Sequence, residues 1–353
     1  MSNNLSDETA ETPRAASRRA RPNTGRVTIT SLAKLVGVTK VTISRALNTP
    51  HLVSPDTLRR VQEAVRETGY IPNLAAGSLA SNRSRLVVAL VPSVSGSVFQ
   101  ETTEAITLAL RQRGYQLLVG QVGYDESSEE VLIEEILGRR PAGIVLTGVV
   151  HSQNVRQRLV ASDIPIVETW DLTASPIDML AGFSHEQVGR QAAEFLYQRG
   201  ARRPAVITPD DKRAMKRANV FCEAMRGMLG KDAIALRAVK APTHLGDGRH
   251  ALASLLETDP DIDAVFCAAD SLALGVLIEA RATGMAVPGR LRVLGYGDLE
   301  FAKDTDPPLT TLRIDGTRIG KLAAHMLIER IEGRDVEQPI VDVGFQLMIR
   351  SSA

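Results

Sequence analysis

Cysteine is nearly absent from this sequence: two residues in 353, Cys222 and Cys267. Neither has the spacing of a metal ligand. Cys222 lies in a helical pattern and Cys267 in the apolar run AVFCAAD, so both read as core thiols of a reducing compartment. The six histidines are scattered without metal-ligand spacing. No apolar run is long enough to span a bilayer, and the N-terminus is polar and Arg-bearing with no hydrophobic signal core, so a cytoplasmic chain is expected. Signatures of catalysis are also missing. There is no G-x-x-x-x-G-K-[ST] phosphate loop and no G-x-G-x-x-G opening a helix, and GFSHE resembles a strand-to-helix nucleophile elbow but lacks its final glycine. No enzyme, metal or cofactor is expected.

What the chain does have is the balance of a soluble globular protein, 44% hydrophobic and 24% charged, at a length that calls for two or three units. Its net charge of +1 conceals a polarity: residues 1–85 hold 13 Lys+Arg against 6 Asp+Glu, a net +7, which leaves −6 for the remainder. A basic head on an acidic body favours a polyanionic partner at one end only. Residues 1–26, rich in Ser, Thr, Asn, Ala and Arg, read as a disordered tail.

The next stretch, TITSLAKLVGVTKVTISRALN, has the spacing of a helix-turn-helix. Leu32, Leu35 and Val36 recur at helical period, Gly37 stands where the first helix must stop in a left-handed conformation, and Val38 covers the corner. Thr39 then N-caps Lys40 to Leu47, turning Ile43, Ala46 and Leu47 inward and leaving Lys40, Val41, Thr42, Ser44 and Arg45 outward. Basic and hydroxyl residues on a short free helix face suit a DNA major groove. Ser54 and Pro55 open a third helix with Leu58, Val61 and Val65 on one stripe and Gly69 at its end. Residues 27–72 are therefore expected to form an all-α DNA-binding domain. Residues 73–85 follow as hinge helix and linker, where Leu74 to Ala80 is too short to hold a helix alone.

From Leu86 the pattern changes to apolar strands alternating with amphipathic helices. Strands are expected at LVVALV, YQLLVG, AGIVLTG, IPIVE, PAVIT, IALRAV, AVFCAA and LRVLGY, which is the pattern of an α/β body of two lobes over 86–353. Ligands of such sheets bind beyond the carboxyl ends of strands. The residues there are Ser93, Ser95, Ser97 and Phe99 after the first strand, Tyr124 after the second, and Trp170 and Asp171 after the fourth. Hydroxyls, carboxylates and aromatic faces in one place suit a polyhydroxylated small molecule.

VGVTKVTISRALN, LVSPDTLRRVQEAVRETGYIPN and LAAGSLAS together resemble the head and hinge of the lactose/galactose repressor family. The likeness continues almost to the C-terminus through GFSHEQVGR, VFCAADSLALG and LRVLGYGD. It implies a periplasmic-binding-protein-like effector domain and a homodimer on a palindromic DNA operator. It also implies base reading by Lys40, Val41 and Arg45, with backbone contacts from Thr30, Thr39, Thr42, Ser44 and Asn48. The hinge region adds Asn73, Ala76 and a minor-groove wedge at Leu79.

In the body the family's Arg for an anionic or hydroxyl group falls on Arg217, one turn before Phe221. Ala269 and Gly297 stand where the family commonly has Asn and Asp, which argues against a simple galactoside. Asp270, Tyr296 and Asp298 are the neighbouring substitutes, although Asp270 also reads as a helix N-cap. His185 is either a ligand contact or a structural helix-start histidine. LVPSVSGSVFQE, GQVGYDESSEEVLIEEIL, IVLTGVVHSQNV and VDVGFQL resemble gluconate-operon repressors within the family, implying gluconate or another sugar acid as effector. Closure of the cleft would change the separation of the two hinges of the dimer and release the operator. No leucine heptad follows the body, so a dimer rather than a tetramer is expected. The rival expectation is a sugar or sugar-phosphate enzyme carrying a DNA-binding head.

Overall fold

A computed structural model describes residues 27–71, 84–94, 98–124, 126–230 and 233–353. The chain divides into two units, Met1–Ser81 and Asn82–Ala353. In the first, the described residues form helices α1 (Ile29–Val36), α2 (Lys40–Asn48) and α3 (Pro55–Thr68), with a short 3-10 turn at Pro50–Leu52. Local chemistry sets all of the helix ends but that of α2. Thr28 and Ser31 cap α1 reciprocally, Gly37 ends it at φ 73°, the Thr39 hydroxyl accepts from the Thr42 amide, and Ser54 and Gly69 bracket α3. Leu32, Val36, Ile43, Ala46 and Val61 form the small core. Leu35, expected on the inward stripe, is 61% exposed. The buried face runs through Leu32, Ala33 and Val36, and Leu35 lies at its edge.

The second unit holds two six-stranded sheets. The N-terminal lobe uses β1 (Leu86–Val91), β2 (Gln116–Gln121), β3 (Gly143–Thr147), β4 (Ile166–Thr169), β5 (Met179–Gly182) and β11 (Ile340–Asp342) in the order β11-β5-β4-β3-β1-β2, all parallel. The C-terminal lobe uses β6 (Pro204–Pro209), β7 (Ala235–Val239), β8 (Ala264–Cys267), β9 (Arg292–Gly297), β10 (Thr310–Arg313) and β12 (Gln346–Met348) in the order β12-β10-β9-β8-β6-β7. Its one antiparallel pairing is β10 with β12.

Continuous apolar runs form the central strands because both sheet faces are covered. Along β1, Val87 and Ala89 enter one core while Val88 and Leu90 enter the other. Along β8, Ala264 and Phe266 alternate in the same way with Val265 and Cys267. Both cysteines are free, and burial raises both thiols, Cys222 to about 11.

All eight expected strands are present, and β5, β10, β11 and β12 are additional. All four lie next to the places where the chain passes between lobes. After β5 it enters the helix His185–Gln198, which packs on the helix Lys212–Leu229 of the C-terminal lobe. After β10 it returns as the helix Gly316–Ile331, which packs on Gln100–Gln112 of the N-terminal lobe. It crosses again between β11 and β12. Gly320 makes the second packing possible, since a Cβ there would lie 2.5 Å from the Thr102 carbonyl oxygen. No helix among the described residues is long and apolar enough to cross a membrane.

Candidate functional site: an interlobe cleft and an exposed helix face

The carboxyl ends of both sheets face one cleft. Ser93 follows β1, Tyr124 follows β2 and Trp170 follows β4, while Asp211 follows β6, Thr243 follows β7, Ala268 to Ser271 follow β8 and Tyr296 lies near the end of β9. Helix starts deliver Phe99, His185 and Arg213, and the second turn of the last of these helices delivers Arg217.

Trp170 is held tightly. Its backbone is left-handed at φ 63°, a conformation that costs a non-glycine residue energy and persists only where the surroundings fix it. The indole Nε1 donates to Thr102 Oγ1 at 3.0 Å, and that hydroxyl donates to the Gly316 carbonyl at 2.9 Å. The Phe99 ring meets the indole edge-on, with centroids 5.0 Å apart. On the other side of the cleft, Arg217 stacks over Tyr296 at 3.8 Å and donates from Nη2 to the Ala268 carbonyl at 2.9 Å. Gly189 lets the two helices of this lobe approach, because a Cβ there would lie 2.3 Å from the Arg217 carbonyl oxygen.

His185 bridges these halves. Its Nε2 is 2.9 Å from the Trp170 carbonyl and its Nδ1 is 3.0 Å from Arg217 Nη1. A carbonyl only accepts and a guanidinium only donates, so the ring is neutral with its proton on Nε2. Burial, then Arg217 and Arg213, push its pKa well below the ordinary value in agreement with this geometry.

Asp270 is buried, but its carboxylate is already engaged: Oδ1 accepts from Thr311 Oγ1 at 2.7 Å and Oδ2 from the Leu299 amide at 2.8 Å. Burial raises its pKa to about 6 against these bonds. It occupies the first position of its helix, whose N-cap is Ala269, so the N-cap reading is corrected. Asp171 and Asp298 also sit differently from a shared ligand shell. Asp171 lines an adjoining compartment. Asp298, left-handed at φ 53°, turns to accept from Arg350 at 2.7 Å and does not line the cleft. Gly297 cannot take the family's larger residue without movement, since a Cβ there would meet Val98 Cγ1 at 2.8 Å.

Sequence reading missed Asp211, Arg213, Thr243 and Ser271 in the cleft and His151 in the adjoining compartment. Two signals were present. Asp211 lies two residues past a strand and caps the next helix, accepting from the Arg213 and Ala214 amides, and Arg213 precedes Arg217 by one turn on the same face. His151 had no local signal. It is clamped between Glu129 at 2.8 Å and Glu168 at 3.5 Å; burial opposes its protonation, but the two carboxylates prevail and raise its pKa to about 9. Ser95 and Ser97 lie outside the described residues.

In the head, Lys40, Val41, Arg45 and Asn48 are exposed on α2 while Thr42 and Ser44 are half-buried. Val41 is 59% exposed, an apolar side chain left in water on a basic helix. Asn48 Nδ2 donates to the Ser44 carbonyl at 3.0 Å, and the Thr39 and Thr42 hydroxyls lie 2.9 Å apart. Thr30 is half-buried in the first turn of α1. Asn73, Ala76 and Leu79 lie outside the described residues.

Residues 28–73 match the model of the bacterial regulatory proteins of the lacI family, and residues 193–353 match a periplasmic binding protein-like domain. The HTH-type transcriptional regulator GntR of Pseudomonas aeruginosa is 37% identical over 330 residues, covering 93% of this chain and 96% of the relative. Among solved structures, a LacI family transcriptional regulator from Silicibacter pomeroyi aligns with a TM-score of 0.86 at 31% identity, covering 92% of this chain and 99% of that one. The transcription regulator GntR from Chromobacterium violaceum aligns at 0.72 and 34% identity, covering 76% and 98%. A helix-turn-helix head on a two-lobed binding-protein-like body defines a DNA-binding transcriptional regulator. The chain belongs to the LacI family.

Proposed function

We propose that this protein is a repressor of sugar-acid utilisation genes, released from a palindromic operator by gluconate or a close relative bound in the interlobe cleft. The observation that carries the ligand class is the pairing of two guanidinium groups, Arg213 and Arg217, with aromatic faces and hydroxyls in one cleft. Arginine binds carboxylates through charge-assisted bonds, aromatic rings cover the C–H face of a polyol, and the hydroxyls of Ser93, Thr243 and Ser271 suit its hydroxyls. The sequence likeness to gluconate-operon repressors supports the same class. Ala269 and Gly297 disfavour a neutral galactoside, which would meet no side-chain hydrogen-bonding group at either position.

On DNA, Lys40 donates to guanine O6 and N7, Val41 touches an apolar base edge such as a thymine methyl, and Arg45 forks to guanine or phosphate. Thr30, Thr39, Thr42, Ser44 and Asn48 position the module on the backbone, and Asn73, Ala76 and Leu79 belong to the hinge contact. The protein acts as a homodimer, because two heads on one palindrome are needed for the hinge spacing to transmit the state of the cleft. Calorimetric titration with gluconate, 2-ketogluconate, gluconate 6-phosphate, galactose and lactose tests the ligand class. Saturable binding confined to the acids supports it, and binding of the neutral sugars alone overturns it.

A further inference from the structure

The cleft carries a cation that the family resemblance leaves without a role. Arg213 sits in the first turn of the helix Lys212–Leu229. Its Nη1 is buried and has no hydrogen-bond partner in the structure. The ion pair to Asp211 is long, 3.8 Å from Nε, and the same Asp211 oxygen already accepts from two backbone amides. Arg217 is differently placed, with both terminal nitrogens engaged by His185 and Ala268 and its plane laid on Tyr296. Arg217 Nε is also buried without a partner, but it belongs to a plane laid on Tyr296, so Arg213 is the one of the two with a terminal nitrogen left unbonded. A buried cationic donor without an acceptor is costly, and an incoming anion removes that cost.

Its position spans the boundary between the lobes. Arg213 belongs to the C-terminal lobe, yet its guanidinium lies 5.4 Å from the centroid of the Phe99 ring, and its Nη1 is 3.5 Å from where a Cβ of Gly148 would stand; both residues belong to the N-terminal lobe. Gly148 is left-handed at φ 102°, a conformation that keeps this approach free of a side chain. Arg213 also lines both the main cleft and the adjoining compartment, so it forms part of the wall between them.

We propose that Arg213 reads the acid group of the effector, taking its carboxylate on the open Nη1 edge at the lobe boundary, while Arg217 and the cleft hydroxyls take the polyol chain. This rests on the sugar-acid reading of the cleft. It makes Arg213 the residue that separates an aldonic acid from the corresponding neutral polyol, and it places the bound charge where both lobes touch the same side chain.

Trp170 is the single tryptophan and lines the cleft, so its fluorescence reports occupancy directly. The probes are gluconate and glucitol, which share a six-carbon hydroxylated chain and differ in the carboxylate, titrated into the full-length wild type, Arg213→Gln and Arg213→Lys. Wild type is expected to prefer gluconate by about 10- to 100-fold, the range of one charge-assisted hydrogen-bonded contact. Arg213→Gln is expected to lower gluconate affinity to that of glucitol without changing glucitol, and Arg213→Lys to restore part of the preference. A wild-type preference retained in Arg213→Gln overturns the assignment. Equal weakening of both probes in both variants overturns it too, because Arg213 would then shape the cleft rather than read charge. A wild type that does not prefer gluconate overturns the sugar-acid reading itself, and this inference with it.

Discussion

Arg217 Nη1 donates to His185 Nδ1 across 3.0 Å, and the opposite nitrogen of that ring donates to the Trp170 carbonyl. One neutral imidazole thus ties the C-terminal lobe's arginine to the N-terminal lobe's tryptophan, and through Thr102 to Gly316, where the chain has just crossed between lobes. His185→Leu leaves a buried donor and a buried acceptor unpaired, so it should cost on the order of 2 kcal/mol in stability. It should also loosen Arg217 and weaken effector binding. Thermal unfolding and Trp170 fluorescence titration check the two effects separately.

The two buried histidines should act on stability in opposite directions with pH. His151 is raised to about 9 because the Glu129 and Glu168 carboxylates outweigh burial, so its contribution is complete below its unfolded value near 6.5 and is lost as pH rises through 9. The shift corresponds to about 3 kcal/mol. His185 is lowered, first by burial and then by Arg217, so its contribution is present above about 6.5 and is lost as pH falls below it. Melting temperature measured against pH should fall on both sides. His151→Gln should flatten the alkaline limb, and His185→Gln the acid one.

Two glycines in neighbouring helices should respond oppositely to alanine. At Gly189 the added Cβ meets the Arg217 carbonyl oxygen at 2.3 Å, so the helices must part, at a cost of about 1–3 kcal/mol, and Arg217 moves with them. At Gly227 nothing lies within 4 Å, and alanine should stabilise the helix by about 0.5–1 kcal/mol. Chemical denaturation of both variants, with effector affinity measured on each, checks the contrast.

Much of this architecture was legible in the sequence because its signals are local. Thr39, Ser54, Gly37 and Gly69 declare their helix ends by chemistry, and the eight long apolar runs declare central strands. The four remaining strands, such as MLAG and IVD, span only three or four residues, too few for a period to register. The cleft was legible in part. Trp170, His185, Arg217 and Tyr296 line it, whereas Asp298 turns away because strand alternation from Tyr296 is broken by a left-handed residue that directs the carboxylate to Arg350. His151 was invisible because its two carboxylates come from a helix and a strand distant in sequence.

On the head, Lys40→Ala should change sequence preference at one position of each half-site by about 1–3 kcal/mol. Loss of affinity spread evenly over all sequences would instead make Lys40 a phosphate contact. Selection from a randomised duplex pool with wild type and variant separates the two.

Operator affinity with the cleft empty and filled is the most direct measure of coupling between effector and DNA. A palindromic duplex selected by the protein itself is titrated by fluorescence anisotropy at fixed salt, with and without saturating gluconate. A two-protomer complex whose affinity falls by at least about 10-fold with gluconate, a coupling of about 1.4 kcal/mol, is the predicted result. An affinity that gluconate leaves unchanged, although Trp170 fluorescence shows the cleft occupied, would contradict it.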